Sequence, residues 1–260
     1  MTFSQQKSSK DYASLGQKVY QYVSDRSLLQ LTKDIFQNGF PLFRRFVALY
    51  FDKNFDKKYN VDTCGSIHLH ELTIPDKGNI ESASIYDPAP AQTVRKLFSY
   101  LPSDLNNYTI IDFGSGKGRV MFVAAEYPFR KIVGVEFASD LHEVAVDNIS
   151  KYKNSKQKCS DIESVCADAM KYEIPEDNCI FYFFAPFKQD VLQSVIDNIK
   201  QSYQKAPRNM WILYITDPVT HPTAFEIIRN SGIFTQVRAE YFPFEIAQRD
   251  KLYYEIYKTN

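Results

Sequence analysis

The sequence has no apolar run approaching the roughly 20 residues that a bilayer span needs, so nothing in it predicts a membrane protein. Its start, MTFSQQKSSKDY, lacks the apolar core of a secretory signal. The cysteines, Cys64, Cys159, Cys166 and Cys179, show no C-x-x-C spacing, so neither a zinc site nor a disulfide framework is indicated, and no metal is expected. Basic and acidic residues number 31 each, and this lack of net charge argues against a dedicated nucleic-acid binder. There is no internal repeat, and the one low-complexity stretch is the lysine-rich KYKNSKQK at 151–158. These absences together predict a reduced, cytoplasmic, soluble protein.

What is present is enough for a sizeable core: 260 residues, 44% of them hydrophobic, in one elaborated domain or two small ones. The 20 Phe and 18 Tyr suggest aromatic-lined surfaces or pockets. The first sixty residues carry twice as many Lys and Arg as Asp, which could face an anionic partner; a solvated helical surface is the plainer reading.

From about Ser84 onward, strand and helix signals alternate, which predicts a parallel α/β sheet. Val94, Leu97, Phe98 and Leu101 give an amphipathic helix stopped by Pro102. The strands are TIIDF, KIVGVEF, IESVCAD, CIFYFF and MWILYI. Helices are predicted from about Lys117 to Glu126, from Ser139 as N-cap with Leu141, Val144, Ala145 and Ile149 inward, after Pro186, and near 222–230 up to Gly232. Two closing strands, FTQVRAEYF and KLYYEIYK, with a polar turn around Arg249 and Asp250, would add an antiparallel strand at or near the sheet edge.

The first eighty residues read as a helical cap packed on the sheet domain. Pro41 opens a helix with Phe43, Phe46, Val47 and Tyr50 at helical spacing, interleaved with Arg44 and Arg45. After FDKNFDKKYNVDTCG comes a short alternating piece, Ile67 to His70. The expected division is a cap or substrate region over 1–83 and a ligand-binding domain over 84–260.

The most informative stretch is IIDFGSGKGRVMF, Ile110 to Phe122. Glycines 114, 116 and 118 at a strand-to-helix turn let backbone pass close to a ligand, with helix N-terminal amides facing it. A phosphate-gripping loop needs G-x-x-x-x-G-K-[ST], and here Lys117 is followed by Gly118 and Arg119. A dinucleotide fold needs G-x-G-x-x-G, whereas this is G-x-G-x-G behind an acid. Asp112 would repel a pyrophosphate and attract an ammonium. A nucleoside bearing an amino acid suits such a loop.

With DFGSGKGR as its most specific part, the sequence resembles the Rossmann-like S-adenosylmethionine-dependent methyltransferases over roughly residues 84–260. The resemblance implies an α/β fold, a seven-stranded mostly parallel sheet with a terminal antiparallel strand, and S-adenosylmethionine as cofactor. It places cofactor contacts at Asp112, Gly114, Ser115, Gly116 and Gly118, at Glu136 and Phe137 (the acid on both ribose hydroxyls), at Asp168 and Ala169 (the acid on the adenine amino group), and at Phe184. In finer detail the chain is similar to a group of bacterial methyltransferases mostly without assigned substrate, through FDKKYNVDTCG, YDPAP and DFGSGKGRVMFVAAEYPFRKIVGVEF. More distantly it is similar to protein-lysine methyltransferases carrying D-x-G-S-G-x-G. In such relatives a Tyr before the first sheet-domain helix lies over the methionine part, which makes Tyr86 a candidate for cofactor contact and catalysis; a buried Tyr anchoring the cap is the alternative.

The acceptor stays open at this stage. Methyl transfer is an in-line displacement in which positioning can supply much of the catalysis, and a base is needed only where the acceptor loses a proton early. Relatives that methylate base or glutamine amines often carry Asn or Asp before Pro-Pro-Tyr/Phe. Here FFAPF has Ala185 in that place, which argues against that chemistry. His221 and Asp217, in the loop after the fifth strand, could approach the acceptor; His68 and His70 could form a base or metal pair, though a surface pair is plainer. The expected activity is methyl transfer to a protein side chain or a small molecule. The alternatives are a cofactor-binding regulatory or scaffolding protein without turnover, and a nucleic-acid methyltransferase, for which Arg44, Arg45 and the 151–158 lysines supply charge without a coherent stripe.

Overall fold

The computed structural model describes residues 40–68, 72–73, 86–219, 221–243, 246 and 252–260, with side chains from residue 50 onward. Arg44 and Arg45 fall in the helical part without described side chains, and His70, Arg249 and Asp250 lie outside the described residues. Residues from Ala48 onward form one compact unit. No described helix is long and apolar enough to cross a membrane.

Seven strands form one sheet in the order β3-β2-β1-β4-β5-β7-β6. They are β1 (Tyr108–Phe113), β2 (Lys131–Glu136), β3 (Ile162–Cys166), β4 (Asn178–Phe184), β5 (Met210–Thr216), β6 (Phe234–Tyr241) and β7 (Tyr253–Thr259). The first five are parallel, and β7 runs antiparallel between β5 and β6. The α/β fold is therefore the Rossmann-like one, mostly parallel with a terminal antiparallel strand. It is β6 that takes the edge and β7 that sits one place in.

The central strands read as near-continuous apolar runs because parallel strands are covered on both faces; every residue of β1 is buried. One face carries Ile110, Tyr182 and Leu213, packed with Val94, Leu97, Met121 and Phe122. The other carries Phe113, Phe181, Phe183 and Tyr214, packed with Val195, Ile199 and Phe225.

The helices in chain order are α1 (Phe40–Tyr59), α2 (Ala91–Phe98), α3 (Arg119–Ala124), α4 (Ser139–Lys151), α5 (Gln189–Lys205) and α6 (Ala224–Asn230). Four details differ from the sequence expectations. FDKNFDKKY is not a connection; it continues α1, which stops where Asn60 turns left-handed at φ 58°. Tyr50 lies 58% exposed, and the inward face of α1 is instead Asp52, Phe55 and Tyr59. Helix α3 begins at Arg119 rather than Lys117, since Gly118 at φ 92° cannot sit inside a right-handed helix. Ala138, not Ser139, is the N-cap of α4, and Ser139 turns its hydroxyl to the Thr73 carbonyl at 3.2 Å.

Candidate active site

Open parallel sheets bind ligands beyond the carboxyl ends of their strands, and the glycine loop lies there, between β1 and α3. Its amides are turned inward. Gly114 and Ser115 donate to the Val135 carbonyl at 2.9 and 3.2 Å, Gly118 to the Ser115 carbonyl at 2.9 Å, and Gly116 to Glu136 Oε2 at 2.8 Å. The expectation of free amides facing a ligand fails for these four. The glycines serve close packing instead. At Gly116 (φ 53°) an added Cβ would stand 2.2 Å from the Tyr86 ring, and at Gly114 (φ 74°) 2.5 Å from Pro186 Cβ.

Two acids flank this loop. Asp112, at the end of β1, is 4% exposed, and its Oδ2 has no hydrogen-bond partner among the described residues. Burial, and then the charge of Glu136, push its pKa well above the usual carboxylate range. Glu136, at the end of β2, is as deeply buried. Burial raises its pKa, against the pull of backbone amides that include Ala138 N at 2.9 Å and Gly116 N. Both acids line one cavity with Tyr86, Gly114, Ser115, Phe137, Tyr182 and Phe184 among its walls. The cavity holds about 120 Å³, less than the roughly 300–1,000 Å³ of a drug-sized ligand pocket. Tyr86 accounts for part of the difference, because its ring lies across the loop.

Tyr86 is held by a strap, residues 61–67. Its hydroxyl donates to the Thr63 carbonyl at 2.7 Å, its backbone exchanges two hydrogen bonds with Ile67, and burial of the phenol raises its pKa well above the usual value. The strap is fastened to the glycine loop by charges for which the sequence reading assigned no role. Arg119, 2% exposed, pairs with Asp52 and with Asp56 (3.4 Å), and donates from Nε to Thr63 Oγ1 at 2.7 Å. Asp56 in turn accepts from the Thr63 and Cys64 amides at 2.8 and 2.7 Å. Lys117 reaches Asp62 and the Cys64 carbonyl, each at 3.3 Å. Asn148 on α4 bridges both sides, donating to the Asp62 and Lys117 carbonyls. Asp52 and Asp56 share a helix face at i,i+4 spacing, but nothing in the sequence pairs that face with the KGR of the loop.

The remaining candidates lie apart from the cavity wall. Asp168, beyond β3, caps a short 3-10 turn through the Met170 amide at 2.9 Å and pairs with Lys171 at 3.6 Å; Ala169 follows it, buried. His221 sits after β5 with Nδ1 3.0 Å from Thr216 Oγ1, and burial lowers its pKa. His68 is exposed. Ala185 does line the cavity, and its φ of 39°, left-handed for a residue preceding proline, marks a strained turn at the end of β4.

The strand order and this site at the strand ends define the architectural class, a Rossmann-like α/β fold. No protein-family model matches the chain, and no curated protein matches it in sequence. Solved structures similar to it include the N-methyltransferase NodS from Bradyrhizobium japonicum WM9 (10% identity, 65% of this chain and 94% of that one, TM-score 0.48). A TehB-like SAM-dependent methyltransferase from Corynebacterium glutamicum (12%, 67% and 89%, TM-score 0.46) is another. A third is the methyltransferase domain of a bacterial protein, CtHen1-C (12%, 65% and 98%, TM-score 0.49). At such distances none of them bears on the acceptor.

Proposed function

We propose that the protein transfers a methyl group from S-adenosylmethionine to a protein side chain or a small molecule. The observation that carries this reading is the pair of buried acids, Asp112 and Glu136, beside a glycine loop whose hydrogen-bonded amides already have partners within the protein. A ligand completing this site has to bring hydrogen-bond donors and positive charge, not phosphate. S-adenosylmethionine brings an ammonium, two ribose hydroxyls and, on its sulfonium, the methyl group to be transferred.

The Asp112 carboxylate would hold the ammonium. Glu136 accepts two amides through separate oxygens and keeps lone pairs for the ribose hydroxyls. Phe137 and Phe184 would wall the nucleoside, Asp168 and Ala169 would meet its adenine end, and Tyr86 would cover the methionine part from the strap. On the acceptor side Ala185 offers no side-chain oxygen to an amine, so the residues of the β4 turn would act by shape. His221, kept neutral by burial, is the candidate to take a proton.

Titration calorimetry with S-adenosylmethionine, S-adenosylhomocysteine and NAD tests the reading. Both sulfur nucleosides are expected to bind, and NAD to give no heat. Binding of NAD alone would replace the proposal with a dinucleotide enzyme.

A further inference from the structure

Among the described residues, the buried side-chain atoms left without a hydrogen-bond partner are Asp112 Oδ2, Ser115 Oγ, Tyr182 Oη and Tyr214 Oη. Three of the four belong to residues lining the cavity at the glycine loop. These three residues are 4%, 6% and 0% exposed, so water does not reach them freely. Buried polar groups are ordinarily satisfied, and three exceptions on one wall call for a ligand.

The sheet register puts the three oxygens in a row. Asp112 of β1 pairs with Tyr182 of β4 on one side and with Gly134 of β2 on the other. Residues paired in register project to the same face. Gly134 has no side chain, and Met121 Sδ and the Ser115 side chain share that space: a Cβ on Gly134 would meet the Met121 sulfur and stand 2.7 Å from Ser115 Oγ. Read across the face, the order is Ser115 hydroxyl, Asp112 carboxylate, Tyr182 phenol. Burial and the charge of Asp112 push the Tyr182 pKa well up, so the phenol stays neutral and its oxygen accepts.

With the ammonium held by Asp112 as proposed above, we infer that Tyr182, together with Ser115, completes its receptor and positions the amino-acid end of the bound nucleoside. A primary ammonium carries three N–H donors, one for each oxygen, and the carboxylate supplies the opposite charge. A phosphate or carboxylate would face Asp112 as a like charge. The identity of the ligand rests on the nucleoside reading above. The contribution of Tyr182 rests on the geometry alone, and Tyr214, on the opposite face in an apolar cluster, provides a matched control.

The test compares S-adenosylhomocysteine with its deamino analogue, by calorimetry, on the full chain. The wild-type protein should bind the amine-bearing compound at least about tenfold more tightly, the order of a charge-assisted contact. Tyr182→Phe and Ser115→Ala should each shrink that ratio several-fold through S-adenosylhomocysteine alone. Tyr214→Phe should leave it unchanged. The melting temperature of ligand-free Tyr182→Phe should hold or rise, since an unsatisfied hydroxyl is removed. Should Tyr182→Phe fail to fold, Ser115→Ala carries the test. A ratio unmoved in both variants, or moved equally by Tyr214→Phe, overturns the inference while leaving the nucleoside reading in place. Equal binding of both compounds by the wild type does the same. Binding of neither compound removes both.

Discussion

Among the described residues Asp112 has no cation as hydrogen-bonding partner and has a second carboxylate nearby, so the folded chain favours its protonated form. The unfolded chain releases that proton near pH 4. Above that value, and up to the raised folded pKa, the folded state alone holds the proton, so stability falls as pH rises through the window. Glu136, also raised, contributes with the same sign. Asp112→Asn copies the protonated acid and removes the larger slope. It should raise the melting temperature of the ligand-free protein at pH 7–8, by roughly 2–4 °C for each kcal/mol recovered, with little change near pH 4. Thermal unfolding of both proteins across that range checks this, and a lower melting temperature for the variant would mean that Asp112 is ionised beside a cation. The two acids were legible in the sequence because strand, glycines and acid are close neighbours along the chain. Tyr182 was not, since within CIFYFF it reads as one more apolar strand position, and only the register against Asp112 gives it a role.

At the level of elements, what matters is how the strap is fastened. Arg119 is buried with Asp52 and Asp56, so its removal leaves two acids in a place that cannot solvate them. Breaking such a buried pair costs about 3–5 kcal/mol. Arg119→Met should lose stability of that order in urea unfolding. Asp62→Ala removes the partner of Lys117, but Asp62 is 69% exposed at its side chain, and a pair of that kind contributes about 1 kcal/mol or less. Equal losses in the two variants would place the strap's anchorage elsewhere. The existence of α1 and α2 was legible from helical spacing. The length of α1 was not, because FDKNFDKKY puts an acid, Asp52, on the inward face, where an apolar pattern would have marked the helix. That acid is tolerated inside because Arg119 arrives from a segment some seventy residues later, which no local pattern announces.

For the molecule as a whole, strand identity was legible and strand order was not: alternation of strand and helix gives a parallel sheet, but no local signal says which strands adjoin. The order has one consequence beyond the site. Strand β6 precedes β7 in the chain yet enters the sheet through it, and β7 is its partner from Phe234 to Tyr241, with a register shift between Gln236 and Arg238. An earlier segment therefore waits for a later one during folding. Strands β1, β2, β4 and β5 can close on one another in succession, whereas β6 joins the sheet only once Tyr253–Thr259 has docked antiparallel on β5. Pulse-labelled hydrogen exchange during refolding should show the amides of β1 and β4 protected first and those of β6 and β7 later and in step. Protection of β6 and β7 together ahead of β1 and β4 would mean that the two strands form as a hairpin before the sheet does. With β1 and β4 first, the half of the sheet that carries the glycine loop would be the part that forms early, and the far edge the part last to arrive and first to come apart.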